Sequence, residues 1–291
     1  MGKTISVTFL SSYLYCARKL YLECVLRIVE PPKETLVLGG LRHEVYEYIN
    51  NIEERIVKGI KERSSFEDVL EIYRKEYSEL LMKTIGKYGR ILSDLKLEPK
   101  EIFKKNWPLI VKEADKRANN VFSFMERTGL SGEELWAKLT PKLVSELNIM
   151  SENLGLKGRI DQVEVYDDIV VPIELKTGKS PNEGAWPSHR IQLLAYLLML
   201  SERMDGSSSA KDVKEGKIIY LDSDKVVNIT LNPFAEKEIK ELVSKTNAML
   251  NSGKLPDFCG NENKCSACGL KENCYDEVFL KERLEALPKA R

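Results

Sequence analysis

The chain has 291 residues, 43% hydrophobic and 31% charged, with 45 Lys and Arg against 45 Asp and Glu. That length holds one large domain or two modest ones, and the composition excludes disordered and collagen-like classes. Net neutrality means that any nucleic-acid binding rests on a local basic patch and not on a global field. No apolar run reaches the roughly 18 residues of a membrane span, and the segment from Met1 to Phe9 lacks the apolar stretch of a secretory signal. A cytoplasmic protein without membrane contact is expected. Gly2 and Ser6 match the loose myristoylation pattern, but no polybasic segment supports it.

Residues 6–30 open with Ser and Thr capping signals, followed by the aromatic and apolar run Tyr13 to Leu22. A helical turn leading into a strand or extended segment is expected there. Pro31 and Pro32 break it. From Glu34 to about Arg63, Val45, Ile49, Ile52 and Ile56 recur at helical spacing. From Ser65 to about Ser145 the pattern stays helical, punctuated by Gly86, Gly89, Pro99, Pro108, Gly129, Gly132 and Pro141. Three or four helical segments fit that span, with Leu70, Tyr73, Tyr77, Leu80 and Leu81 as a packing stripe.

At Leu154 the texture becomes strand-like, and Asp167-Asp168 separates two strands of a hairpin. A helix from about Ser188 to Arg203 follows, then a flexible loop at Gly206 to Ser209. Strands near 216–221 and 225–231, and a helix from Pro233 to about Asn251, precede a cysteine-rich tail. The fold class predicted is α/β, a restriction-endonuclease-like α+β core. Its central mixed sheet is flanked by helices, with a large helical insertion and a C-terminal cysteine-rich segment. The divisions of this single unit are 1–30, 31–64, 65–145 (the insertion), 146–252 (the core) and 253–291.

The chemistry concentrates in Gly158-Arg159-Ile160-Asp161 and Ile173-Glu174-Leu175-Lys176. In a strand, Glu174 and Lys176 share one face while Ile173 and Leu175 point into the opposite layer. Two carboxylates converging from neighbouring strands make a hard oxygen site suited to Mg²⁺ or Mn²⁺. Such an ion acidifies water and neutralises charge on a phosphoryl oxygen, and a nearby ammonium orients that water. A surface hairpin with one Glu–Lys pair is the bland alternative. His43, four residues after Gly39 on the first predicted helix, is a further metal-ligand candidate, and Gln192 and Tyr196 lie one helical turn apart. His189 is read as a bystander or a DNA contact. Arg18, Lys19, Lys157, Arg159, Lys179 and Arg190 lie beside these motifs and offer a local positive groove.

Six cysteines in such a protein point to metal ligands or core residues before disulfides. Cys265, Cys268 and Cys274 form C-x₂-C-x₅-C, a spacing that wraps an ion or cluster. For a fourth ligand the residues alone leave Cys259, Cys16 and Cys24 open.

The motifs Gly39/His43, Gly158/Asp161, Glu174/Lys176 and Gln192/Tyr196, in that order, resemble the signature of the RecB-like exonucleases of the PD-(D/E)xK superfamily. The stretch Tyr15-Cys16-Ala17-Arg18-Lys19-Leu20-Tyr21 resembles the N-terminal element of their CRISPR-associated branch, the fourth Cas protein family. The resemblance implies that His43, Asp161, Glu174 and the Leu175 carbonyl hold Mg²⁺ or Mn²⁺. It makes Lys176 the catalytic lysine, with Gln192 and Tyr196 positioning the strands or contacting DNA.

It also implies a [4Fe–4S] cluster on Cys16, Cys265, Cys268 and Cys274, with Cys24 and Cys259 spare and zinc as the alternative, since a Cys₄ set suits both. The implied activity is a metal-dependent DNA exonuclease working on single-stranded ends, trimming fragments for CRISPR spacer acquisition and contacting the CRISPR integrase. Alternatives are a nuclease of replication or recombination repair and a catalytically silent iron–sulfur DNA-binding subunit. The insertion can serve as a DNA tunnel, a partner contact or a homo-oligomer interface.

Overall fold

A computed structural model describes residues 4–205 and 213–287, so that Gly2 and the expected loop Gly206–Ser209 lie outside the described residues. The chain enters through a short strand, β1 (Ile5–Ser6), and passes directly into helix α1 (Val7–Cys24), where the Ser6 hydroxyl accepts the Thr8 N–H as a cap. The extended segment expected within residues 13–22 is therefore corrected to helix. Leu10, Leu20, Tyr21 and Leu22 are buried, so tertiary packing claims this stretch. Extended backbone is confined to Cys16 (φ −165°, ψ 106°), which kinks the helix. Its sulfur accepts the Lys19 N–H at 3.3 Å and thereby caps the second half.

Helices α2 (Glu34–Gly59), α3 (Phe66–Lys87), α4 (Gly89–Asp94), α5 (Pro99–Thr128) and α6 (Gly132–Lys138) follow. Ser65 and Asp68 form a reciprocal capping box at the start of α3. Pro108 does not interrupt α5, whose buried face (Ile102, Ile110, Ala114, Ala118, Val121) carries it through; the helix ends where Gly129 takes a left-handed φ of 69°. A buried ionic network ties these helices together. Arg117 pairs with Glu53 at 3.1 Å and Glu113 at 2.7 Å, and the Tyr73 and Tyr77 hydroxyls donate to Glu53 at 2.8 and 3.3 Å. Removing one member would strand a buried charge, a loss of about 3–5 kcal/mol for such pairs.

The sheet comprises β1, β2 (Lys142–Ser151), β3 (Leu156–Val165), β4 (Val170–Lys176), β5 (Glu215–Tyr220) and β6 (Lys225–Thr230). Helix α7 (Pro187–Asp205) connects β4 to the β5 side, and α8 (Pro233–Asn251) follows β6. The order β1-β3-β4-β5-β6, with β2 on the other edge of β3, mixes parallel and antiparallel pairs. Helical pattern was expected as far as residue 145, yet β2 begins at Lys142 and pairs along the length of β3. Its alternation is interrupted at Glu146, which has a positive φ of 53°.

One face of the sheet packs under α1, α7 and α8 through Leu156, Ile160, Ile218 and Tyr220. The other packs under α2 to α6 through Ile173, Leu175 and Leu221. Burying Ile173 and Leu175 contributes about 1.5–3 kcal/mol each and forces Glu174 and Lys176 to the opposite side of β4. Among the described residues, no helix is long and apolar enough to cross a membrane.

A third small core joins the two ends of the chain. Tyr21, Leu22, Leu26 and Ile28 pack against Leu270 and Leu280, which belong to the tail of α9 (Glu262–Ser266), α10 (Lys271–Tyr275) and α11 (Glu277–Glu285). Glu30 clasps it, accepting from Lys19 at 2.5 Å, Lys33 at 2.7 Å and the Gly269 N–H at 2.8 Å. A Cβ on residue 269 would stand 2.5 Å from Glu30 Oε1, so only glycine admits the carboxylate. Burial pushes the Glu30 carboxyl upward, but the two lysines and the N–H hold it down at about 2.

A carboxylate depressed in the folded state stabilises above its unfolded value near 4.3 and loses that contribution as pH falls through the folded value. The difference in melting temperature between the native chain and Glu30→Gln should therefore be full at pH 6 and shrink between about pH 4.5 and 2. Calorimetry across that range checks it, and a pH-independent difference would refute the clasp.

Candidate active site and cysteine centre

Strands β3 and β4 run antiparallel with Gln162 opposite Ile173. The same register carried one step further brings Asp161 opposite Glu174. Regular pairing stops there, and Asp161 Oδ2 accepts the Leu175 N–H at 2.8 Å. Ile160 and Val163 both pack into the α7 side although they are three residues apart, so β3 slips its alternation beside Asp161. Glu146 is the distorted residue across from it on β2.

Lys176 Nζ donates to Glu174 Oε1 at 2.7 Å and to Gln192 Oε1 at 2.9 Å. One helical turn beyond Gln192, the Tyr196 hydroxyl donates to the Arg159 carbonyl at 2.9 Å. A Cβ at Gly158 would lie 2.6 Å from that tyrosine ring, which accounts for the glycine three residues before Asp161. Gly39 plays a similar part on α2: its Cα approaches Thr177 so closely that a Cβ would stand 3.2 Å from Oγ1. That approach sets His43, one turn later, with Nδ1 at 3.6 Å from Asp161 Oδ1.

Glu174 is 2% exposed, and among the described residues no donor reaches its Oε2. Burial, compounded by the neighbouring Asp161 charge, raises its carboxyl to about 7 against the pull of Lys176. Burial likewise raises Asp161 to about 6. Burial lowers His43 below the ordinary histidine range, with Lys176 and Arg159 adding to it against the pull of Glu174, so the imidazole is neutral and free to ligate. Two carboxylates with an orphaned oxygen between them call for a proton or a cation, and the oxygen-rich donor set suits Mg²⁺ or Mn²⁺. Among the described residues no three such side chains form a closed ligand set; they converge on one open cleft of about 800 Å³.

Glu44, Glu47, Glu146, Tyr48 and Lys87 line the same cleft and were not singled out from sequence. Glu47, four residues after His43 on one helix face, carried a readable signal. Glu146 did not, because its strand had been taken as helix. His189 does not line this cleft: its Nδ1 meets the Tyr220 hydroxyl at 3.1 Å, and burial lowers it to about 4. Three of the six basic residues of the expected groove are engaged elsewhere. Arg18 donates to the Cys274 sulfur and the Pro256 carbonyl, Lys19 pairs with Glu30, and Arg190 pairs with Glu238.

The cysteines gather at the third core. Cys16, Cys265, Cys268 and Cys274 line one small cavity, and Cys259 joins them with its sulfur 3.3 Å from that of Cys265. Cys259, read as spare, thus lies among the cluster candidates, whereas Cys24 does not line the cavity. Arg18 is sandwiched between this site and the Phe258 ring, 4.0 Å from its centroid, and donates to Cys274 at 3.1 Å. A sulfur-only donor set suits an iron–sulfur cluster or zinc.

A deformed strand pair that sets a buried Glu beside a half-buried Asp and Lys is the pattern of a nuclease core, and comparison with known proteins gives the family. The model of the PD-(D/E)XK nuclease superfamily matches residues 4–275, and the chain belongs to that superfamily. Within it the chain is a Cas4-like nuclease of the RecB family. It is 32% identical over 136 residues, 45% of this chain, to a CRISPR-associated exonuclease Cas4/endonuclease Cas1 fusion of Myxococcus xanthus. It is 30% identical over 136 residues, 46% of this chain, to CRISPR-associated exonuclease Cas4 of Rhodospirillum rubrum. It is also 25% identical over 301 residues, 93% of this chain, to the DNA replication ATP-dependent helicase/nuclease DNA2 of Mus musculus. These matches span 23%, 39% and 26% of the respective relatives.

Metal binding must displace the protons that the raised carboxyls retain. Mn²⁺ affinity, measured by calorimetry, should therefore be highest at pH 8, weaken as pH falls through 7 and 6, and be accompanied by proton release near pH 6.5. Affinity flat from pH 8 to 5 would contradict the paired-carboxylate site.

Proposed function

We propose that the protein is a Mg²⁺- or Mn²⁺-dependent DNA exonuclease acting on single-stranded ends, with a [4Fe–4S] cluster held by Cys16, Cys265, Cys268 and Cys274. The observation that carries the nuclease reading is Glu174, buried with one oxygen on Lys176 and the other facing Asp161 without a donor. His43, Asp161, Glu174 and the Leu175 carbonyl would hold the catalytic ion, which when bound supplies a Lewis acid and an acidified water. Lys176, fixed by Glu174 and Gln192, keeps an ammonium at the place where phosphoryl charge develops. Tyr196, through the Arg159 carbonyl, fixes the strand that bears Asp161.

The biological setting we propose is trimming of DNA fragments for CRISPR spacer acquisition together with the integrase. The relative in which Cas4 is fused to Cas1 supports it. A second reading, a replication or repair nuclease, is favoured by one specific observation: the match to DNA2 runs through the helical region and covers 93% of the chain, against 45% for the Cas4 fusion. The two readings share the same chemistry and differ in partner.

With end-labelled single strands and Mn²⁺, the native protein should release short products, and Lys176→Ala or Glu174→Ala should lower the rate by a factor of roughly 100 or more. Cleavage that survives both substitutions, in variants with native circular dichroism, would overturn the assignment.

Anaerobically purified protein should be brown and carry about four irons per chain, the content of one such cluster. Cys16→Ala should lose that iron. Colourless protein with a single zinc would replace the cluster by a Cys-ligated ion.

A further inference from the structure

Beyond Asp161 the sheet has an open corner. In register, Ser6 on β1 and Met150 on β2 flank Lys157 of β3, and Asn148 flanks Arg159. Cross-strand partners share a face, so these residues form two rows leading to Asp161, with alternate residues of β3 about 6.7 Å apart. Their neighbours Leu156, Ile160 and Ile149 turn the other way into the core under α1 and α7. The same outward face is covered further along, where Gln162 and Glu164 are buried, but at the corner Met150 is 62% exposed and Lys157, Arg159 and Asn148 are exposed too.

The charge is segregated across this corner. The cleft that holds His43 and Lys176 also contains Glu44, Glu47 and Glu146 beside Asp161 and Glu174. The adjoining cleft over the open corner, about 700 Å³, has Asp161 as its only acidic residue among the described residues, and the two clefts share Thr8, Arg159, Asp161 and Gln192. Arg159 is held at the shared mouth by Glu146, while Lys157 has no ion pair among the described residues.

We propose that this corner seats the single-stranded polynucleotide and delivers it to Asp161, with Lys157 and Arg159 on phosphates and Met150 against a base; the proposal rests on the nuclease reading above. A polyanion is favoured in the cleft where Lys157 and Arg159 face one carboxylate over the cleft where five carboxylates outnumber Lys87, Arg159 and Lys176. The exposed methionine, surrounded by amide and hydroxyl groups, offers an apolar surface to an unstacked base, which a duplex keeps covered. The carboxylate-rich side is left to cations.

The test uses the full chain in EDTA, which prevents turnover, and follows the anisotropy of labelled oligothymidylate as salt is raised. Lys157→Ala should weaken binding about fivefold and lower the slope of log affinity against log salt by about 0.7, the loss of one single-strand phosphate contact. Met150→Glu, at an exposed position that tolerates charge, should weaken binding at least as much. Lys179→Ala, in a separate cleft beside Arg42, should leave the affinity unchanged.

Native affinity and slope in both Lys157→Ala and Met150→Glu would overturn the proposal. So would equally tight binding of a blunt duplex that shows the same losses. If the native protein cleaves strands with Mn²⁺ while the corner variants bind normally, the seat is wrong and the nuclease reading stands. If the native protein neither binds nor cleaves, the nuclease reading falls first and takes the seat with it.

Discussion

The arrangement turns on one buried carboxylate. Glu174 lies in the middle of a sheet, with apolar neighbours on either side in sequence and a single ammonium for a partner. Left alone, such a group would protonate or be replaced by a better-packed residue in any sequence selected for stability. Around it, α2 is brought close to the end of β4 by Gly39, α7 supplies Gln192 to steady Lys176, and β3 is deformed so that Asp161 faces it. Each feature costs regularity. All are explained at once if the pair exists to take up a cation and hold it against a phosphodiester.

The second constraint is closure of the chain. The N-terminal helix and the C-terminal tail contribute few apolar residues to their shared core, so the junction depends on polar and sulfur contacts out of proportion to its size. Glu30 gathers two lysines and a backbone N–H, Arg18 reaches the Cys274 sulfur and two carbonyls, and Cys16 caps its own helix. A ligand shared by Cys16 and the C-x₂-C-x₅-C segment would cross-link sites separated by nearly the whole chain. That is the geometry in which a cross-link removes most loop-closure entropy. Because β1 and α1 also border Asp161 through Ser6 and Thr8, the junction buttresses the site from behind.

That the candidate site residues lie together was largely legible because the determinants of their placement are local. Strand parity puts Glu174 beside Lys176, helix periodicity puts Gln192 under Tyr196, and the glycines mark close approaches that the structure locates at Tyr196 and Thr177. What escaped was non-local or irregular. Strand β2 escaped because its alternation is broken at Glu146, and the helix over residues 13–22 because only its burial against the tail and α7 makes it helical. Cys259 looked dispensable beside a complete set of four, and its proximity to Cys265 depends on how the tail folds back. Arg18 and Lys19 looked like groove residues, yet Arg18 reaches a partner 256 positions away and Lys19 one that lies beyond the end of its own helix.

Overall neutrality gains a meaning from these placements. A chain with equal numbers of acids and bases can address a polyanion only by sorting them, and the sorting follows the sheet. Carboxylates gather in the cleft roofed by α2, where a bound cation would offset their repulsion; Lys157, without an ion pair among the described residues, and exposed polar side chains occupy the uncovered corner of β1, β2 and β3. Asp161 stands where the two regions meet, in the one place where the strands are allowed to part. The break in the β3–β4 ladder beside Asp161 also lies between the buried stretch of β3, at Gln162 and Glu164, and its exposed stretch, at Lys157 and Arg159, so the proposed metal site and the open corner meet at one irregularity of the sheet.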